Sequence, residues 1–167
     1  MYMQNLSSGL NAITKSKSQT ESPNDDSVFT LTLPISTDSQ LPLIDIERDT
    51  GKYIRAILMN PTESLGKEYY AAVGYYTPQQ IVEDFSATFP EKGAKATFKQ
   101  VTEEEYKSTM ANGGLDEKAQ IELLQNMLLM KPEFGYYTGK DVKVTQKVSS
   151  NILSDNADAE RYLMSRL

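Results

Sequence analysis

Three sets of residues carry whatever chemistry this sequence can offer. Asp45 and Asp49 follow an apolar run and could act as an acid and base pair. Glu103, Glu104 and Glu105 make an acidic block. Tyr136 and Lys140 stand in a Y-x-x-x-K spacing, which on a helix would put a phenol and an ammonium on one face. Each set also has a structural reading. Helix capping and turn formation account for both aspartates. Acidic residues in a first helical turn favour the macrodipole, which accounts for the glutamates. Gly135 and Gly139 bracket the Tyr/Lys pattern just beyond a proline, so the two side chains are not expected to share a helical face. The chain has no His and no Cys. It therefore lacks the commonest general base at neutral pH, and any thiolate nucleophile, disulfide or sulfur-ligated zinc site. The sequence offers no catalytic set and no metal-ligating set of its own.

The elements that position these residues are read from periodicity. Leu41 to Ile46 (LPLIDI) is a short apolar run of the kind found in strands buried on both faces of a parallel sheet. Asp49 is then expected to cap a helix with Tyr53, Ile54, Ile57 and Leu58 on its apolar side, stopped at Asn60-Pro61. Val28 to Leu33 alternates as a strand, and Glu68 to Tyr75 is strand-like, with Tyr69, Ala71, Val73 and Tyr75 on one face. Thr77-Pro78-Gln79-Gln80 spells a capping box for a helix carrying Ile81, Val82, Phe85 and Phe89. Ala96 to Val101 is a short strand, and Thr102 to Glu105 repeats the capping box for a helix running through Met110 to Asn112-Gly113-Gly114. From Asp116 another helix shows Ala119, Leu123, Leu124, Met127 and Met130 as its stripe. Its apolar residues spill beyond that stripe, which fits core packing or an adaptable partner surface.

The remaining segments are weaker. Residues 1–13 read as a helix remnant with Met3, Leu6 and Leu10 in line, and 14–27 as an exposed loop. Residues 28–61 form a strand-strand-helix unit and 62–139 a small subdomain. The tail, 140–167, holds a strand over DVKVTQKV and a weak helix over Ala157 to Leu167. At 167 residues the chain has the size of one domain. Its hydrophobic share of 39% is below the usual roughly 45–50%. A net charge of -6 disfavours direct contact with nucleic acid or an anionic membrane. No apolar run has membrane-spanning length and no signal-peptide pattern opens the chain, so cytoplasm or nucleus is expected.

The blocks Tyr2-Met3-Gln4-Asn5, LPLIDIERDTGKYIRAILMNP (41–61), Gly66-Lys67 leading into YYAAVGYYTPQQIVEDFS (69–86), FKQVTEEEYKS (98–108) and PEFGYYTG (132–139) resemble the C-terminal half of the NmrA-like family. That family is an atypical branch of the extended short-chain dehydrogenase/reductases. The resemblance implies an α/β fold, the C-terminal portion of an NAD(P)-binding Rossmann-type extended fold without its N-terminal Rossmann half. It also implies a cleft for NAD or NADP in the complete protein, with Tyr2 and Asn5 as cleft-lining candidates, and a protein partner such as a transcription regulator. In related dehydrogenases the Y-x-x-x-K spacing marks a catalytic pair, but the family's pair lies upstream of the YMQN block.

The family's Gly-rich pyrophosphate turn has no counterpart here, since no G-x-G-x-x-G occurs. For this chain alone no cofactor is expected. The leading expectation is a non-catalytic, redox-sensing regulatory domain. The alternatives are a partial NAD(P)H-dependent reductase resembling the isoflavone reductases, and a truncated product without activity. An uncovered sheet should pair with its missing half or self-associate.

Overall fold

The computed structural model describes residues 6, 13–16, 28–89, 95–138, 140 and 142. Their elements are β1 (Thr14–Ser16), β2 (Val28–Leu33), β3 (Leu41–Leu43), α1 (Ile46–Met59), α2 (Pro61–Ser64), β4 (Gly74–Tyr76), α3 (Pro78–Thr88), β5 (Lys95–Gln100), α4 (Glu103–Asn112) and α5 (Glu117–Leu128). The expected tail strand and C-terminal helix lie outside the described residues. So does the N-terminal stripe apart from Leu6, which is buried.

Two small sheets organise these elements. In the first, β2 lies between β1 and β5, antiparallel to β1 and parallel to β5, with the register running from Val28 opposite Lys95 to Leu33 opposite Gln100. In the second, β3 pairs antiparallel with β4, Leu41 opposite Tyr76 and Leu43 opposite Gly74. The parallel partner expected for β3 is therefore not what it has. The continuous apolar run reports burial, and all three β3 residues are buried, but burial does not fix strand direction. A two-stranded ribbon under covering loops gives the same pattern, and Pro42 suits a strand with few ladder bonds.

The helix after β3 also starts earlier than its sequence pattern implies. Asp45, not Asp49, is the N-cap: its Oδ1 accepts from the backbone N–H groups of Glu47 and Arg48, each at 3.1 Å. Asp49 lies inside the first turn and pairs with Lys52 at 3.2 Å. That shift decides which face is buried. Asp49, Tyr53 and Ala56 point inward, and the Tyr53 hydroxyl donates to the Ala72 carbonyl at 3.0 Å. Ile54 and Leu58, expected beside Tyr53, are 53% and 71% exposed.

Two further expectations change. Thr14–Ser16, placed in a loop by its polarity, is an edge strand, because backbone pairing with β2 needs no apolar side chain. The strand expected over Glu68 to Tyr75 contracts to Gly74–Tyr76, and the tyrosine-rich approach runs as irregular chain.

Both capping boxes form. Thr77 Oγ1 accepts from Gln80 N–H at 3.1 Å while Gln80 Oε1 accepts from Thr77 N–H at 2.8 Å. Thr102 and Glu105 repeat this at 3.1 and 2.8 Å. These starts aim α3 and α4 so that Ile81, Val82 and Phe85, then Tyr106 and Met110, enter one core with Leu31 and Leu33 of β2. Phe85 packs against Phe29 and Phe89, ring centres 5.1 and 5.2 Å apart. From α5 and the turn after it, Leu124, Met127 and Met130 complete the core, while Leu123 stays partly exposed. The helix ends at Leu128, so Met130 reaches the core from the following turn.

Candidate functional site

The turn after α5 sets the local geometry. Gly135 and Thr138 take positive φ values of 58° and 52°, which breaks any helix between Tyr136 and Lys140. Thr138 is β-branched and strained there. Its Oγ1 donates to the Tyr137 carbonyl at 2.7 Å and its N–H donates to the Gly135 carbonyl at 2.6 Å. The Y-x-x-x-K spacing therefore does not put its two side chains on one helical face.

Lys140 meets a different tyrosine. Its Nζ donates to the Tyr70 hydroxyl and lies 4.7 Å from the centre of that ring. It also donates to Glu68 Oε2 at 3.3 Å, and Tyr70 donates to the same oxygen at 2.5 Å. The Tyr70 and Tyr137 rings are 5.1 Å apart, and Tyr136 meets Tyr137 edge-on at 5.0 Å. Two tyrosine hydroxyls tie the turn to the chain around β4: Tyr75 donates to the Lys140 carbonyl at 3.2 Å, and Tyr137 to the Ala71 carbonyl at 3.3 Å.

The electrostatics follow from these contacts. The Tyr70 hydrogen bond, then Lys140, holds the Glu68 carboxyl below its ordinary value. The Tyr70 hydrogen bond, then Glu68, holds the Lys140 ammonium above its own. Side-chain exposures of 51% for Lys140 and 79% for Glu68 leave the group in water, where charges are strongly screened. Ammonium, phenol and carboxylate thus form a solvated hydrogen-bonding edge. It can clasp the turn to the β4 approach and meet a polar partner group, but it is not the water-excluded setting that proton-transfer catalysis exploits.

The other residues singled out from sequence fall into structural places. Tyr2 and Asn5 lie outside the described residues. Asp45 caps α1, and Glu105 belongs to the α4 capping box. Glu103 pairs with Lys131 at 3.4 Å. Among the described residues no group of three or more His, Cys, Asp or Glu could hold a metal, and no helix is long and apolar enough to cross a membrane. A groove of about 550 Å³ lies along α5, lined by Gln125, Asn126, Leu128, Leu129 and Phe134 with Glu122 at its rim. Sequence reading missed Glu68, Tyr70 and Tyr75 as partners of Lys140. The only available signal was the aromatic density of EYYAAVGYY, which β-propensity claimed first.

Comparison with known proteins places this geometry. No curated protein sequence matches the chain. The family model described as "NmrA-like family" matches residues 1–163. Among solved structures, NmrA described as a negative transcriptional regulator in complex with NAD is similar at a TM-score of 0.60 and 16% identity, over 99% of this chain and 49% of that one. The same regulator in complex with NADP is similar at 0.56 and 17% identity, over 86% of this chain and 44% of that one. The chain spans about half the length of these structures.

Proposed function

Because this chain belongs to the NmrA-like family, with the α/β, Rossmann-like fold of its structural neighbours, we propose that it is the C-terminal part of a regulatory protein that reads NAD or NADP and binds a protein partner, and that it is non-catalytic alone. The observation that carries the reading is the family match over 1–163 in a chain about half as long as NmrA structures bound to NAD and to NADP. The partner would be a transcription regulator, and the protein would work in the cytoplasm or nucleus.

The residues present do not fit a pyrophosphate grip. Such a grip needs a glycine-rich turn between strand and helix whose open N–H groups face the phosphates. At the strand-to-helix connections described, the chain's own side chains already accept those N–H groups. Asp45 does so for α1, Thr77 for α3 and Thr102 for α4. The Asp45 carboxylate would also repel a phosphate. The described glycines with positive φ, Gly66, Gly114 and Gly135, follow helices instead of opening them.

No dinucleotide chemistry is therefore assigned to this chain alone. Calorimetric titration of the 167-residue chain with NAD and with NADP should give no heat of binding. A longer polypeptide carrying a glycine fingerprint should bind. Micromolar affinity in the chain alone would overturn the division of labour proposed here.

A further inference from the structure

Helix α1 turns an unusual face to solvent. Glu47, Gly51, Ile54, Arg55 and Leu58 are all exposed. At 3.6 residues per turn they fall within roughly 100° of arc. Ile54 is 53% exposed, Leu58 71%, and Met59 beside them 70%. A β-carbon added at Gly51 would meet nothing within 4 Å. The chain's own packing thus gives no reason for a glycine here, although glycine weakens a helix interior relative to alanine. What glycine provides is close approach by another backbone.

The charges on this face select the approaching body. Glu47 lies four residues before Gly51 and Arg55 four residues after it, about 12 Å apart along the axis. A parallel copy of α1 would set like charges side by side. An antiparallel copy crossing at Gly51 sets Glu47 of each chain against the partner's Arg55 and opposes the helix macrodipoles. Because helical side chains lean toward the N-terminus, Ile54 then inclines into the space over the partner's Gly51, and the Leu58 side chains flank the crossing. The face is complementary to itself about a two-fold axis, as an isologous interface requires.

We propose that this face is a homodimer interface, in which α1 of two copies of the chain cross antiparallel at Gly51. The inference rests on the surface of α1 and is independent of the dinucleotide reading. Sedimentation of the full chain across a concentration series tests it, with thermal melting of dilute protein as the folding control.

The wild-type chain should show a monomer–dimer equilibrium. Gly51→Leu should weaken the dimer about tenfold or more, while the dilute-protein melting midpoint stays level or rises, since leucine favours helix and meets open space. Arg55→Glu should weaken the dimer comparably, and the Glu47→Arg/Arg55→Glu exchange should restore it. A chain that remains monomeric up to about 100 μM overturns the proposal. So does a dimer indifferent to Gly51→Leu, which would seat the interface on another face. Either result leaves the calorimetric test of nucleotide binding untouched.

Discussion

Replacing Asp45 by alanine is the most direct probe of how α1 is set. Asp45 is 1% exposed, and a single carboxylate oxygen receives two backbone N–H groups at 3.1 Å. Losing an N-cap costs about 0.5–2 kcal/mol, and hydrogen bonds to a charged acceptor lie at the upper end of the ordinary range. Burial removes water as a substitute acceptor, so about 2 kcal/mol is expected for Asp45→Ala. For a chain of this size that corresponds to a fall in melting temperature of about 4–8 °C.

Asp45→Asn keeps an acceptor oxygen in place and should cost only a few tenths of a kcal/mol. Asp49→Ala loses the pair with Lys52 and a little macrodipole stabilisation, about 1 kcal/mol or less. Circular dichroism melts of the three variants, with urea titrations to confirm the order, decide the matter. If Asp49→Ala proves more damaging than Asp45→Ala, the helix begins where the sequence pattern placed it and the assignment of the cap is wrong.

Other expectations are shorter to state. Phe85→Ala removes the ring that joins β2 to α3 between Phe29 and Phe89, and should cost about 3–5 kcal/mol in urea unfolding. Thr77→Ala and Thr102→Ala should each cost about 1 kcal/mol, and hydrogen exchange should quicken only in the first turn of α3 or of α4 respectively. The clasp of Glu68, Tyr70 and Lys140 should hold above the ordinary carboxyl value of 4.5 and be lost as pH falls through the depressed value of Glu68. On the alkaline side it should hold below the ordinary lysine value of 10.5 and be lost as pH rises through the raised value of Lys140. NMR titration of the Tyr70 ring reads both limits, and Lys140→Met should bring the Glu68 midpoint back toward its ordinary value.

Features whose cause is local could be read in the chain. The two capping boxes form because a hydroxyl and a carboxyl or amide three residues apart satisfy each other's backbone partners with no help from the fold. The inward stripes of α3 and the end of α5 follow from helical spacing alone, as does the stop at Asn60-Pro61. The missing glycine fingerprint and the absence of His and Cys likewise limited the chemistry before any coordinates were considered.

Properties that depend on distant partners were not legible. Leu41 to Leu43 look equally apolar whether the neighbouring strand runs parallel or antiparallel, and pairing with Gly74 to Tyr76 decided the direction. Asp45 and Asp49 are both competent caps, and the choice fell to the one at which the buried strand has to turn. Lys140 found Tyr70 in place of Tyr136 because positive φ at Gly135 and Thr138 swung the turn toward the approach to β4, some seventy residues back in the chain. Spacing along a chain governs contacts within one turn of helix or strand. Contacts across that separation depend on how whole elements pack, and packing is a property of the assembled core.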